Sequence, residues 1–316
     1  MSTVNPPQRS AEDRERARAQ RALSRAERRR ARWLPRSGLL VAGVLLALVV
    51  LAALVVLALD RGKPAPKPIA APAVVRITIP EGETRLQIAQ IAAAKGLRGS
   101  YLAAARHSAA FDPRRYGAPR DTPNLEGFLF PATYELYAHQ PAGHLVALQL
   151  QAFEENFGVA AIHRARALHV TPYQLLIVAS MVEREALLPG DRAKVAAVIY
   201  NRLRIGMQLG IDSTIRYALN DFSKPLTEAQ LHIDSPYNTR THHGLPPTPI
   251  SNPGLAAIDA AAHPTHVPYL YYVNGADGCG ELVFSREAAQ FERDAAAYNQ
   301  AIAANGGRVP ACRGHR

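Results

Sequence analysis

The stretch Leu175-Leu-Ile-Val-Ala-Ser-Met-Val-Glu-Arg-Glu-Ala186 places one acidic side chain, Glu183, in an otherwise apolar run with helical periodicity. On a helical wheel Glu183 stacks with Leu176, whereas Arg184 and Glu185 rotate away from that face and can be solvated. Burying an unpaired carboxylate is costly, so such a group is usually paired, kept protonated or used as an acid. The sequence therefore predicts a buried helix whose role depends on the surroundings of Glu183.

Two interpretations of Glu183 stay open from these residues alone. It is either a functional acid, with Glu185 as the rival acid, or a structural carboxylate paired with an arginine such as Arg202 or Arg216. Ser180 lies in the same run, but no Gly-x-Ser-x-Gly elbow surrounds it, which argues against a serine hydrolase.

A second decisive segment runs from Gly38 to Leu59, whose 22 residues include no charged, Asn or Gln side chain. At about 1.5 Å per residue such a helix spans roughly 33 Å, enough to cross a bilayer core of about 30 Å. We therefore predict a single N-terminal transmembrane helix over residues 38–59. A cleaved signal peptide is the competing interpretation, but the apolar run exceeds the usual length of about 7–15 residues.

Charge around this helix predicts its orientation. Residues 1–37 carry 11 Arg and no Lys against 4 acidic side chains, while only three basic residues follow closely after the helix. The positive-inside rule then makes residues 1–37 a cytoplasmic arm and places the residues after the helix outside the plasma membrane. In a cell with two membranes, this is the inner membrane. The arm favours anionic lipid headgroups; no nucleic-acid-binding module accompanies it, so nucleic acid is not an expected partner.

The composition of the 316 residues, with 48% hydrophobic and 20% charged side chains, is that of a globular protein with room for two modest domains. Residues 60–73 are rich in Pro and predict a semi-extended linker. From Val74 an alternating strand leads to a turn at Glu81-Gly-Glu-Thr84, whose Thr84 caps a helix. A second helix is expected near residues 100–108 and a returning strand over 128–136. This order resembles the LysM fold, and we predict a LysM-like subdomain over residues 74–137.

The remainder, residues 138–316, is predicted to form a mixed α+β domain, so the fold class is α+β. Helices are expected over three segments, with Thr171-Pro172 as one start and Asp191 as the cap of another: 143–157, 171–188 and 191–205. A short Ala-rich helix after Pro253 precedes two strands and a final helix, expected at residues 269–273, 281–284 and 285–304.

Two loop regions carry the polar groups that a carbohydrate groove needs. The first contains Gln208 and Asp212 among tight-turn residues, and the second runs from Ser235 to Gly254 with five prolines that restrict φ. Sugar hydroxyls require donors and acceptors held in place, which a stiff irregular loop can supply. Ordinary surface connections have the same composition, so this pattern alone leaves a structural role open.

Metal and cysteine chemistry are weakly indicated. His242, His243, His263 and His266 lack the spacing of a His-Glu-x-x-His or similar motif, so neither a metal site nor a cofactor is predicted. Cys279 and Cys312 both fall outside the membrane in this topology, where a disulfide can persist; whether they pair stays open from the sequence.

Ordered blocks across the chain resemble the YceG-like family of endolytic murein transglycosylases, which are membrane-bound lytic enzymes. The blocks that carry the resemblance are Leu125-Glu-Gly-Phe-Leu-Phe-Pro-Ala-Thr-Tyr134, Ala179-Ser-Met-Val-Glu-Arg-Glu185, Asn201-Arg-Leu203, Asp212-Ser-Thr214, Tyr237-Asn-Thr239, Gly244-Leu-Pro-Pro247, Asn252-Pro-Gly254, Ala262-His-Pro264 and Tyr269-Leu-Tyr271. The family's Leu-Gln-x-Asp-x-Thr pattern departs here to Leu209-Gly-Ile-Asp-Ser-Thr214, so Gln208 is the candidate replacement for the missing Gln.

The resemblance implies a LysM-like subdomain followed by a catalytic domain that cleaves peptidoglycan between N-acetylmuramic acid and N-acetylglucosamine. It implies that Glu183 is the catalytic acid. We expect the substrate-binding residues within or beside the matching blocks, at Glu126, Asn201, Gln208, Asp212, Thr214, Tyr237, Asn238 and Thr239. It also implies partnership with peptidoglycan synthases that act on nascent strands, whose elongation such cleavage would end.

The mechanism expected for such an enzyme needs one carboxyl group. Glu183 would protonate the glycosidic oxygen and then accept the proton of the 6-hydroxyl, which closes on C1 to give a 1,6-anhydro end. Two alternatives remain from the sequence: a membrane-tethered scaffold that binds peptidoglycan without cutting it, and a hydrolase that uses Asp212 or Glu126 to activate water.

Overall fold

The computed structural model describes residues 36–61 and 73–312. The first helix, α1 (Arg36–Arg61), has an apolar stretch from Leu40 to Leu59 whose side chains are all exposed within the chain. Its length and composition are those of a membrane-spanning helix, and a signal sequence has the same character. This helix and the residues from 72 onward form separate compact units, and each is described by itself. The predicted arm, before residue 36, and most of the predicted linker lie outside the described residues.

The larger unit begins with a strand, two helices and a strand, in the predicted order. Strand β1 (Val74–Thr78) pairs antiparallel with β2 (Thr133–Tyr137), and the connection holds helices α2 (Arg85–Ala94) and α3 (Tyr101–Ala104). Thr84 caps α2 as predicted, in a capping box with Gln87. The returning strand is shorter than predicted, because Phe128, Leu129 and Phe130 are buried in the core without strand pairing. The likeness to LysM and the boundary at residue 137 stay predictions.

Three long helices follow: α4 (Ala142–Ala167), α5 (Pro172–Glu185) and α6 (Pro189–Arg204). Helix α4 continues ten residues beyond its predicted end, with a kink at Gly158. Helix α5 begins at Pro172 after the predicted Thr171 cap, which forms a capping box with Gln174. It ends at Glu185, three residues before its predicted end, because Ala186 is extended.

Helix α5 is the centre of the core. All residues from Leu175 to Val182 are buried, as expected for a helix that is hydrophobic on every side. It packs against α4, α6, α7 (Asp212–Leu219) and α9 (Leu255–Ala262). This packing fixes the position of its last turn, which carries Glu183.

The prediction that Asp191 caps the third helix was wrong. Helix α6 begins at Pro189, so Asp191 lies within its first turn. Its buried carboxylate accepts hydrogen bonds from the backbone N–H of Leu282, at 2.8 Å, and from Lys194 Nζ, at 3.0 Å. Asp191 therefore ties α6 to the C-terminal strands.

After the short helix α8 (Glu228–Leu231), the chain closes with the hairpin of β3 (Tyr271–Asn274) and β4 (Leu282–Ser285) and with helix α10 (Ala288–Ala304). Both strands were predicted to within two residues, and α10 begins three residues later than expected. Cys279, in the hairpin turn, is disulfide-bonded to Cys312, which attaches the C-terminal segment to the hairpin. The described chain is thus α+β, as predicted.

Candidate active site

Glu183 lies in the last turn of α5, where the helix leaves the core, and its side chain is partly buried. Its Oε2 accepts a hydrogen bond from the backbone N–H of Gly254 at 2.9 Å. Among the described residues, Oε1 has no hydrogen-bond partner. One oxygen is therefore held by the protein and the other is available to a ligand.

Burial raises the pKa of Glu183 above its usual value, and the negative charge of Glu81 adds to the effect. The hydrogen bond from Gly254 opposes this, as do the positive charges of Arg192 and Arg184. Burial dominates, so the protonated form of Glu183 persists to higher pH than that of an exposed glutamate.

Two loops enclose the acid. The turn before α2 brings Gly82 over Glu183, and a Cβ added to Gly82 would lie 3.4 Å from Glu183 Cγ. Gly82 is buried and has φ +80, a conformation that glycine adopts without strain. Its N–H donates to the carbonyl of Asn252 at 2.9 Å, and the N–H of Asn252 donates to the carbonyl of Glu83 at 3.0 Å. The turn and the Asn252–Gly254 loop are thus paired beside Glu183.

Glu126 braces this loop from inside the protein. It is 1% exposed, and its carboxylate accepts hydrogen bonds from Asn252 Nδ2 at 2.7 Å, Tyr217 Oη at 3.2 Å and the N–H of Arg85 at 3.0 Å. Burial raises the pKa of Glu126 to about 7, although these donors act to lower it. Its position under the loop makes it a support for the site, and direct sugar contact by Glu126 stays a prediction.

Tyr237 extends the same polar network. Its hydroxyl is hydrogen-bonded to Thr248 Oγ1 at 2.8 Å, and its ring lies 5.1 Å from that of Tyr217, which in turn reaches Glu126. Tyr237 is partly exposed, so it remains a candidate for ligand contact.

Three of the predicted substrate-binding residues lie beneath the surface. Thr214, Asn238 and Thr239 are at most 1% exposed. Thr239 accepts from the N–H of Ile211 at 2.9 Å and lies 3.1 Å from Thr214 Oγ1, while Asn238 donates to two backbone carbonyls. A ligand has no access to these side chains in this structure, so their observed role is to hold the loops in place.

Asp212 lies on the Glu185 side of the α5 end, and Gln208 precedes it in the chain. Asp212 forms an ion pair with Arg240, at 2.7 Å, and lines a cavity of about 480 Å³ together with Glu185. Gln208 is partly exposed nearby, and its carbonyl accepts from Arg202. These two remain candidates for ligand contact.

The expectation that Glu185 is solvated was wrong. Glu185 is partly buried, and it accepts a hydrogen bond from Tyr272 Oη at 2.9 Å. Burial is the main cause that raises its pKa. The hairpin of β3 and β4 covers this face of α5, and its contact with the helix could not be inferred from the helix alone.

Among the described residues, no arginine forms an ion pair with Glu183. Arg202 donates to the carbonyls of Leu270, Gln208 and Leu209, and Arg216 donates to the carbonyl of Lys224.

Asn201 is engaged with the protein backbone. Its Nδ2 donates to the carbonyls of Val267 and Tyr269, at 2.8 and 2.9 Å, and its Oδ1 accepts from Arg204. Both amide protons are in use, which makes Asn201 a tether for the segment before β3; its contact with a sugar stays a prediction.

The four histidines considered above do not form a metal-binding group in the described part of the chain. Across residues 36–61 and 73–312, no group of three or more His, Cys, Asp and Glu side chains could hold a metal ion. His263 lies 2.9 Å from Asp259 Oδ1, and His243 is hydrogen-bonded to the carbonyl of Gly206.

Sequence reasoning missed the contribution of the turn before α2. Glu81 and Gly82 were assigned only to a turn, and Gly254 only to a matching block, yet all three lie against Glu183 or its hydrogen bond. Arg192, on α6, was likewise not singled out. The feature that identifies these residues is the pairing of the Gly82 turn with the Asn252–Gly254 loop. This pairing exists only in the folded chain.

Comparison with known proteins assigns this chain to a family. The YceG-like family model matches residues 52–297. A Bacillus subtilis (strain 168) protein named endolytic murein transglycosylase is 37% identical over 164 residues, which are 51% of this chain and 44% of that protein. A Streptococcus pneumoniae (strain ATCC BAA-255 / R6) protein of the same name is 34% identical over 154 residues, 47% of this chain and 28% of that protein. The chain thus matches less than half the length of these relatives.

A solved structure supports the same assignment. The 2.6 Å crystal structure of a YceG-like protein from Listeria monocytogenes superposes with a TM-score of 0.62 and 30% sequence identity. The superposition covers 69% of this chain and 75% of that one. The family match spans most of the compact unit that holds the Glu183 site, and this chain belongs to the YceG-like family.

Proposed function

We propose that this chain is an endolytic lytic transglycosylase, which cleaves peptidoglycan strands between N-acetylmuramic acid and N-acetylglucosamine and leaves 1,6-anhydro ends. The observation that carries this proposal is the environment of the Glu183 carboxyl group. One carboxyl oxygen is fixed by Gly254, the other has no partner among the described residues, and burial raises its pKa. The names of the two bacterial relatives support the reaction and the substrate.

In the proposed mechanism Glu183 begins protonated. Its proton passes to the glycosidic oxygen as the bond from that oxygen to C1 of the muramic sugar breaks. The resulting carboxylate accepts the proton of the 6-hydroxyl of the same sugar, whose oxygen forms the new bond to C1. Glu183 is protonated again at the end of the cycle, and no water is consumed.

The surroundings of Glu183 favour this route over a hydrolysis in which Asp212 or Glu126 activates water. A hydrolase needs a second carboxylate to attack the sugar or to activate water. Glu126 is buried and accepts hydrogen bonds from three groups, and Asp212 is paired with Arg240. Glu126 is thus enclosed by the protein, and one oxygen of Asp212 is already paired.

We further propose that α1 anchors the enzyme in the bacterial inner membrane, with the N-terminus in the cytoplasm and the site outside. The apolar stretch Leu40–Leu59 and the 11 Arg before it support this orientation. An enzyme held there would meet strands as they emerge from peptidoglycan synthases, which are the proposed partners. The measured mass of the membrane-extracted chain tests the anchor, since removal of α1 as a signal sequence would contradict it.

The reaction is tested by incubating the full chain, purified in detergent, with isolated glycan strands and analysing the products by mass spectrometry. We expect anhydro ends, each one water lighter than a hydrolytic end. The Glu183→Gln variant should retain its fold and lose cleavage by at least about a hundredfold, because amide nitrogen cannot supply the proton.

The outcomes separate the alternatives. Reducing ends in place of anhydro ends would establish a hydrolase. Strands that are bound but left intact by the folded chain would favour the tethered, non-catalytic scaffold. Undiminished cleavage by Glu183→Gln would remove Glu183 from its assigned role.

A further inference from the structure

Glu81 is a charged side chain beside the site that the mechanism above does not use. It is exposed, in the turn between β1 and α2, and its carboxyl group packs against Gly254 so closely that a Cβ on Gly254 would overlap it. Gly254 is also the residue whose N–H donates to Glu183. The two carboxyl groups therefore contact different parts of one residue.

The charged groups that face Glu183 come from three elements. Arg184 belongs to α5 itself, Arg192 to α6, and Glu81 to the turn before α2. Arg184 is directed elsewhere: its guanidinium lies 3.9 Å from the centre of the Phe222 ring and donates to the carbonyl of Gly82 at 3.2 Å. Of these three charged groups, Glu81 is the acidic one, and it raises the pKa of Glu183.

We propose that Glu81 is a positioning residue for the acid, which favours the protonated form of Glu183 and rests against the Gly254 peptide that holds it. This inference depends on the proposed function only for its catalytic consequence. The effect of Glu81 on Glu183 is a property of the folded chain, with or without substrate.

The physical argument is that two neighbouring carboxylates repel each other, so ionisation of one disfavours ionisation of the other. Glu81 is exposed to solvent, whereas Glu183 is partly desolvated. Burial and the neighbouring Glu81 carboxyl group therefore both favour the protonated form of Glu183. In each cycle the same repulsion favours the return of the proton from the 6-hydroxyl to Glu183.

A role in packing alone is the competing explanation. Glutamine at position 81 keeps the size and shape of the side chain and removes its charge, while lysine reverses the charge. If Glu81 acts by packing alone, the titration of Glu183 should not follow this series. Glu228→Gln, which removes an exposed charge from the distant helix α8, is the matched control.

The experiment measures the pKa of Glu183 in the full chain in detergent by carboxyl ¹³C NMR with labelled glutamate. The Glu183 signal is identified by its loss in Glu183→Gln. We expect the pKa to fall in Glu81→Gln, to fall further in Glu81→Lys and to stay unchanged in Glu228→Gln. Added salt should reduce the difference between Glu81→Gln and the unmodified chain, because exposed charges are screened.

The catalytic consequence is measured separately from the pH profile of anhydro-end formation. The alkaline limb should move to lower pH in Glu81→Gln, with a loss of roughly threefold at a pH above the Glu183 pKa and little change below it. An unchanged Glu183 pKa across the folded Glu81 variants would overturn the proposal. So would reducing ends that vanish in Glu81→Gln, since Glu81 would then be a base.

The titration and the cleavage assay test this inference and the proposed function separately. If the unmodified chain cuts no strands while the pKa series holds, the proposed function fails and the pairing of Glu81 with Glu183 stands. If strands are cut and the pKa series is flat, the reverse follows.

Discussion

Asn252 Nδ2 donates a hydrogen bond of 2.7 Å to Glu126 Oε1, deep under the site. The same nitrogen donates to the carbonyl of Glu83 at 2.9 Å, and Asn252 Oδ1 accepts from the N–H groups of Gly127 and Leu129. One amide side chain thus joins three segments that are far apart in sequence. Because Gly254 lies two residues away, this junction also sets where the Glu183 hydrogen bond forms.

We expect Asn252→Ala to be strongly destabilising. The substitution leaves the buried N–H groups of Gly127 and Leu129 without their acceptor, which should lower the free energy of unfolding by roughly 2–4 kcal/mol. Chemical denaturation of the purified chain measures this loss. Asn156→Ala is the control, since Asn156 is exposed and, among the described residues, its side chain donates to the carbonyl of Ala152 alone; it should change stability little. Equal effects of the two variants would contradict the assigned role of Asn252.

Glu126 should make stability depend on pH. Its folded-state pKa, about 7, is above the ordinary 4.5, so its contribution is fully present below about 4.5 and is lost as the pH rises through about 7. The loss is on the order of 3 kcal/mol. Unfolding curves measured across this window, for the chain and for Glu126→Gln, give the difference due to this group. Parallel curves would show that Glu126 titrates normally.

Local structure could be predicted well from the sequence. Thr84 and Thr171 each precede a helix with Gln three residues further on, and both capping boxes are formed. The run from Leu175 to Val182 predicted a buried helix, since apolar side chains on all faces require a surrounding core. These features depend on neighbours within one or two turns.

The environment of each acid could not be predicted in the same way. Glu183 and Glu185 are two residues apart on one helix, yet the first meets the Gly254 loop and the second meets Tyr272 of the hairpin. Which partner reaches which face depends on packing between segments far apart in sequence. For the same reason Glu81 was assigned to a simple turn, although it lies against Gly254.

The disulfide is expected to stabilise the chain without supporting the reaction. Cys279 and Cys312 are separated by 33 residues, and a loop of this size contributes about 3–4 kcal/mol when it is closed in the unfolded chain. A Cys279→Ser, Cys312→Ser variant should lose stability of this order in chemical denaturation and still form anhydro ends at room temperature. Loss of cleavage in a variant that is demonstrably folded would show that the C-terminal segment contributes to the site.

Glu185 provides the sharpest test of which acid acts. It shares the last turn of α5 with Glu183, its pKa is also raised by burial, and it lines the cavity that contains Asp212. However, Tyr272 Oη donates to Glu185 Oε2, and this bond with the hairpin gives Glu185 a structural partner. We expect Glu185→Gln to raise KM or to lower stability while anhydro ends still form, whereas Glu183→Gln should form none. Product analysis of the two variants side by side decides the matter, and the reverse pattern would make Glu185 the acid.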